Sequence, residues 1–181
     1  FKKFVHPDYD VIKLGPNGSA RDRVTGKIKF YDNAEGGSTN DVKFRNIIKD
    51  IFDEDWSDKT DLRVDIMILA GLSGGNGSGT FEELAVHARE ACRTAGATEV
   101  RVFGYLFLPD TVEAFEQDNL DALKSIYING YSALKELESY MSIPASPGRG
   151  EEFYSRDGAI TIECNDANRL FDYPILISGT Y

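Results

Sequence analysis

The chain has 181 residues, and its 30 acidic and 20 basic side chains give it a formal net charge of −10. That length allows one α/β domain with a sizeable core, and the acidic balance repels nucleic-acid backbones and anionic membranes. No apolar stretch approaches the ~20 residues of a membrane span. We therefore expect no direct nucleic-acid contact and no membrane partner.

Both ends of the chain suggest a piece of a longer protein, since it begins at Phe1 and ends at Tyr181, just after an apolar run. The two cysteines, Cys92 and Cys164, lie far apart and have no metal-ligand spacing. We interpret them as reduced core thiols, which predicts a cytoplasmic protein.

The first forty residues are rich in turn signals, with one short strand predicted over Lys27–Tyr31. A helix is predicted over Asp41–Glu54, where apolar residues recur three and four positions apart. The next segment, Leu62–Ala70, is apolar enough to be a strand of a parallel sheet. A helix over Thr80–Ala95 and a second buried strand over Glu99–Leu108 would complete a βαβ unit.

A long amphipathic helix follows over Asp118–Met141, with one face expected to pack on the sheet. A small hairpin is predicted over Phe153–Cys164 and a last strand over Tyr173–Ser178. This order predicts an α/β fold, a mostly parallel sheet with helices on both faces. We interpret residues 1–181 as a single, incomplete domain with a hairpin insertion near 149–165.

The most informative segment is Ala70–Thr80, AGLSGGNGSGT, which joins a predicted strand to a predicted helix. Five of its eleven residues are glycines, although a tight turn needs about two, and each costs about 0.5–1 kcal/mol against alanine in a helix start. Backbone N–H groups at a helix start attract anions, and ligands of parallel sheets bind at this edge. The segment therefore predicts a phosphate cradle.

Common phosphate motifs do not fit this segment. No lysine follows the glycines, which argues against a P-loop, and Gly75–Gly79 falls one residue short of G-x-G-x-x-G. Gly71–Gly75 does match G-x-S-x-G, so a serine hydrolase with Ser73 as nucleophile stays an alternative. Neither His6 nor His87 follows the serine as that fold requires, and we interpret His87 as a solvated helix residue.

The segment Ser73–Gly79 resembles the G-G-G-T-G-S-G signature of the tubulin superfamily, matching five of its seven positions. Serine and asparagine stand at the other two, and both are small and polar. The overall pattern is most similar to divergent prokaryotic tubulin-like proteins. The resemblance implies a Rossmann-like tubulin nucleotide-binding domain.

The resemblance also implies three groups of site residues. Phosphate would be bound by Ser73, Gly74, Gly75, Asn76, Gly77, Ser78 and Gly79, with side-chain donors at Asn76 and Ser78. A second phosphate loop would include Gly18, Ser19 and Ala20. The ribose would lie near Pro109, Asp110 and Asn129.

Implied partners are GTP or GDP with Mg²⁺, and further copies of the chain in filaments, with GTP hydrolysed at the subunit interface. The family's catalytic acid lies outside this chain, and no residue here is assigned to catalysis or to metal binding. A nucleotide-independent scaffold module with a degenerate site is the second alternative. The sequence leaves open GTP against ATP, hydrolysis, filament polarity and cellular role.

Overall fold

The structure is a computed structural model and describes residues 22–31, 40–55, 60–143, 150–155, 158–163 and 169–179. The helices are α1 (Arg23–Tyr31), α2 (Asn40–Asp55), α3 (Gly75–Thr94), α4 (Asp110–Glu113) and α5 (Leu120–Met141). The strands are β1 (Arg63–Gly71), β2 (Glu99–Phe107), β3 (Gly150–Ser155), β4 (Gly158–Glu163) and β5 (Tyr173–Ile177).

The predicted parallel sheet is confirmed. Its strand order is β1-β2-β5, and both pairings are parallel, with Arg63 opposite Glu99 and Phe103 opposite Tyr173. β3 and β4 form a separate antiparallel hairpin at the predicted position. That this hairpin is an insertion stays a prediction.

The helices that follow the strands cover one face of the sheet. The strand order runs in one direction, so two right-handed crossovers place α3 and α5 on the same side, where they contact each other. On the opposite face Met67 and Leu69 are 63% and 68% exposed. The predicted α/β fold with a parallel sheet is confirmed, and the described helices that follow its strands lie on one face.

The core lies between the sheet and α3. Phe81 of α3 stacks on Phe171, with ring centroids 6.2 Å apart, and the Phe171 ring occupies the space that a Cβ at Gly104 would need. A smaller cluster joins α2 to the sheet through Phe52 and Cys92. Burial raises the pKa of the Cys92 thiol to about 11, as expected for an inert core cysteine. Cys164 lies outside the described residues.

The prediction of a strand over Lys27–Tyr31 is wrong, since these residues belong to α1. Alternating charged and apolar residues in a short window imitate a strand, yet Asp22 starts a helix here. Its Oδ1 accepts hydrogen bonds from the amides of Val24 (2.9 Å) and Thr25 (3.3 Å), as a helix cap does. α1 then packs along α3, which buries one face of each helix.

The helices predicted over 41–54 and 118–141 are confirmed by α2 and α5. α3 is also confirmed, but it begins at Gly75, five residues earlier than predicted. No helix in the described ranges is both long enough and apolar enough to cross a lipid bilayer.

Candidate phosphate-binding site

Three loops are tied together at the carboxyl ends of the parallel strands. The Leu72 amide donates to the Phe107 carbonyl (2.9 Å), and the Leu108 amide donates to the Ile177 carbonyl (2.8 Å). The amide of Gly179 donates to Oδ2 of Asp110 at 3.1 Å. The loops after β1, β2 and β5 therefore meet at the edge where parallel sheets bind ligands.

The first turn of α3 has no side-chain cap. Its N-cap is Gly74, in an extended conformation (φ −93°, ψ 167°), and no side chain closes the helix end. The Ser78 amide donates back to the Gly74 carbonyl at 3.3 Å. In such a turn the amides of Gly75, Asn76 and Gly77 have no acceptor within the helix, and the helix dipole adds partial positive charge beside them.

The accessible side of this turn is formed by residues with small or exposed side chains. A Cβ built at Gly71 or at Gly74 would meet no other atom within 4 Å. Asn76 is exposed, and Gly77 is half-buried. A negatively charged group could approach the backbone here, as anions do at helix N-termini.

The second part of the predicted phosphate segment is closely packed against the protein interior, and its role in binding stays a prediction. Ser78 is fully buried, and its hydroxyl donates to the Gly74 carbonyl instead of being available to a ligand. A Cβ at Gly79 would overlap the main-chain carbonyl of Arg23, and one at Gly77 would overlap that of Gly71. These two glycines allow close backbone packing.

The structure brings one of the predicted ribose residues, Asn129, into contact with the glycine segment. Asn129 of α5 is 7% exposed, and its Nδ2 donates to the Ser73 carbonyl at 2.9 Å. Pro109 lies against the next residue, Gly130, which has no room for a Cβ. Asp110 accepts from the Ser178 hydroxyl and so holds the loop after β5. The predicted second phosphate loop, 18–20, lies outside the described residues.

The serine-hydrolase alternative finds no support in this geometry. Ser73 Oγ is buried and has no hydrogen-bond partner among the described residues, so no base is positioned to activate it. The interpretation of His87 as solvated is wrong: it is fully buried, and its Nε2 lies 3.2 Å from the Tyr31 hydroxyl.

A family model described as tubulin-like matches residues 7–171. The chain belongs to the tubulin-like family. The match includes the glycine segment, α1 and α5, which surround the uncapped turn. Comparison with curated proteins and with solved structures gave no match.

In this tubulin-like protein α1 supplies contacts that the sequence interpretation missed. Arg23 donates to the Ser78 carbonyl from Nε (3.0 Å) and from Nη2 (2.7 Å), and its Nη1 donates to Glu136 of α5 at 3.2 Å. Lys27 Nζ lies 2.8 Å from Glu83 Oε1, and the Tyr31 hydroxyl donates to the same carboxylate. Arg23, Lys27 and Tyr31 recur every four residues in the sequence, and this recurrence is typical of one polar face of a helix.

Burial dominates the electrostatics of this α1–α3 contact. Glu82 is 1% exposed, and burial raises its pKa well above the ordinary value, with Glu136 adding to the shift. Burial lowers the pKa of Lys27, but the nearby Glu83 and Glu82 carboxylates outweigh it and raise the pKa overall. The contact therefore holds Lys27 charged and favours a protonated Glu82.

The described residues contain no preformed cluster of metal ligands. No group of three or more histidine, cysteine or acidic side chains able to hold a metal ion occurs among them. We therefore assign no metal ligand in this part of the chain and derive no step that depends on one.

Proposed function

We propose that this tubulin-like protein binds a guanine nucleotide, with its phosphates at the start of α3. The observation that carries the proposal is the uncapped first turn, Gly74–Gly77, which opens at the carboxyl edge of the sheet. The tubulin-like family match supports the choice of nucleotide. GTP and GDP are the ligands proposed.

Backbone amides suit this acidic protein as phosphate donors. The net charge of −10 disfavours an anion at long range, whereas amides in a partly desolvated turn attract it at contact. Each hydrogen bond to a charged acceptor contributes about 1.5–3 kcal/mol, so three or four could support micromolar affinity. We therefore propose Gly74, Gly75, Asn76 and Gly77 as the phosphate-binding residues.

Residues around the turn would hold it and receive the sugar. Asn129 fixes the Ser73 carbonyl, and Pro109 and Asp110 form the next loop along the edge. In the proposal the ribose lies beside this loop, which follows β2. Ser78 and Gly79 are buried and closely packed, so in the proposal they support the turn from behind.

The second part of the proposal is GTP hydrolysis coupled to self-assembly. The tubulin resemblance implies a catalytic acid outside this chain, so the acid is proposed to come from a neighbouring copy. Its carboxylate would orient and polarise the attacking water when two subunits meet. A copy that assembles without nucleotide would instead favour the scaffold alternative.

Titration calorimetry of the purified protein with GDP, GTP, GMP and ATP tests the binding proposal. We expect micromolar affinity for GDP and at least about tenfold weaker binding of GMP, which lacks the β-phosphate. ATP should bind more weakly than GTP. Absence of any guanine-nucleotide affinity below millimolar would reject the proposal. Sedimentation with and without GTP then separates nucleotide-driven assembly from nucleotide-independent assembly.

A further inference from the structure

We propose that Arg23 is a positioning residue that holds the first turn of α3 in its phosphate-binding geometry. The inference rests on the proposed function, because it concerns the same turn. It assigns a role to a side chain that does not touch the ligand site and acts through the main chain behind it.

The guanidinium of Arg23 joins three helices at one point. From α1 it donates twice to the Ser78 carbonyl in α3, at 3.0 and 2.7 Å, and it pairs with both carboxylate oxygens of Glu136 in α5. Its side chain is only 15% exposed and that of Glu136 is 42% exposed, so the bonds to the Ser78 carbonyl are the better shielded from water. The planar fork of arginine suits two acceptors at once, which lysine cannot match.

The backbone around Arg23 leaves little freedom for the turn to shift. The Arg23 carbonyl lies directly against Gly79, and Gly26 lies directly against the Gly75 carbonyl. Ser78, which the guanidinium binds, follows immediately after the amides proposed to bind phosphate. Fixing the Ser78 carbonyl therefore fixes the direction of those amides.

Charge explains why the link to α5 needs a positively charged side chain at this position. Three carboxylates, Glu82, Glu83 and Glu136, lie near two cations, Arg23 and Lys27. Hydrogen bonds from Arg23 lower the pKa of Glu136 even though burial opposes this. Without Arg23, the Glu136 carboxylate would lose its cation, and α5 would lose a contact that keeps Asn129 over the glycine segment.

Arg89 offers a matched control at the other part of α3. Like Arg23, it donates hydrogen bonds to one main-chain carbonyl and one carboxylate. Its Nη1 donates to the Val100 carbonyl (2.9 Å) and its Nη2 to Asp172 Oδ2 (2.8 Å). Its side chain is 6% exposed, so its loss should destabilise the fold at least as much as loss of Arg23. It lies about four helical turns from the uncapped start of α3.

The test compares Arg23→Met with Arg89→Met by GDP titration and thermal unfolding. We expect Arg23→Met to weaken GDP binding by about tenfold or more, and Arg89→Met to lower the unfolding temperature while changing the Kd by less than about twofold. Arg23→Lys should recover part of the affinity, because it restores the charge facing Glu136. Equal Kd values for the two methionine variants would overturn the inference.

Hydrogen exchange without nucleotide separates this inference from the proposed function. Arg23→Met should accelerate exchange of the amides of 78–82, and Arg89→Met should leave them as in the wild type. Unchanged exchange there would overturn the positioning role, whereas a wild type that fails to bind GDP would reject the nucleotide proposal alone. If Arg23→Met does not fold, Arg23→Lys and Glu136→Gln carry the same comparison.

Discussion

The glycines at the start of α3 fall into two groups with different surroundings. Gly71 and Gly74 face open space, while Gly77 and Gly79 press against main-chain carbonyls of other segments. The first group leaves the backbone accessible, and the second lets two backbones touch. Glycine density alone therefore overstates the ligand site, since backbone packing already accounts for the missing side chains of Gly77 and Gly79.

The largest effect is expected from Gly77→Ala. Its new Cβ would overlap the Gly71 carbonyl, which belongs to the strand backbone and cannot swing aside. Overpacking of this kind costs about 1–3 kcal/mol or more, against a gain of about 1 kcal/mol from helix propensity. Denaturant unfolding should show a clear net loss of stability.

Gly74→Ala is the control for that substitution, because its Cβ enters open space and costs less than about 1 kcal/mol as a poorer N-cap. The same titration measures both variants. If Gly74→Ala destabilised the protein as much as Gly77→Ala, the division into open and packed glycines would be wrong.

Gly74→Asp should separate stability from binding on the open side. A carboxylate at this N-cap can accept from the first-turn amides and interact with the helix dipole, so the free energy of unfolding should stay equal or rise by a few tenths of a kcal/mol. The same carboxylate competes with phosphate for those amides. GDP affinity should fall by about tenfold or more in calorimetry.

Asn119→Asp places the same charge at the N-cap of α5, where Asn119 already accepts from the Ala122 amide. It should leave the Kd for GDP nearly unchanged. A comparable loss in both variants would point to net charge, and not to the α3 turn, as the cause.

Local sequence patterns predicted much of this architecture. Apolar runs located β1 and β2, and the three-and-four spacing located α2 and α5, because these signals depend only on neighbouring residues. The glycine segment was likewise placed after a strand, although the helix begins within it, at Gly75. The alternation of charged and apolar residues over Lys27–Tyr31 led to the wrong prediction of a strand. A window of five residues cannot distinguish a short strand from one face of a helix.

What the sequence could not provide are the contacts between distant segments. Gly26 fits against Gly75, and Arg23 meets Glu136 more than a hundred positions away. Nothing near Gly77 or Gly79 in the chain indicates that a carbonyl will approach it. The division of the glycines therefore needed coordinates, and so did the buried position of His87.

A smaller effect is expected from Asn129→Ala, which tests whether the bond from Asn129 fixes the position of the glycine segment. The substitution leaves the Ser73 carbonyl without its bond from Nδ2. Loss of one such bond costs about 1 kcal/mol, so GDP affinity should fall about fivefold if the turn shifts with it. Asn119→Ala, on the same helix, should reduce stability by a similar amount through loss of a cap, without changing the Kd. A Kd that stays at the wild-type value in Asn129→Ala would show that the glycine segment holds its shape unaided.

The smallest effect is expected from Glu82→Gln, which tests the packed side through pH. Folding raises the pKa of Glu82, mainly by burial, so the wild type keeps its full stability below the ordinary glutamate pKa of 4.5 and loses some as pH rises through the higher folded value. Glutamine resembles the protonated form at every pH. The variant should therefore unfold at a higher temperature than the wild type at pH 8, and this difference in unfolding temperature should disappear towards pH 4.5.

Glu138→Gln is the control with the opposite sign, because hydrogen bonding to Lys135 lowers the pKa of that exposed carboxylate. If the difference in unfolding temperature between Glu82→Gln and the wild type stayed constant from pH 4.5 to 8, Glu82 would be charged in the folded protein. An altered GDP affinity of Glu82→Gln would mean that the α1–α3 contact is not independent of the phosphate-binding turn.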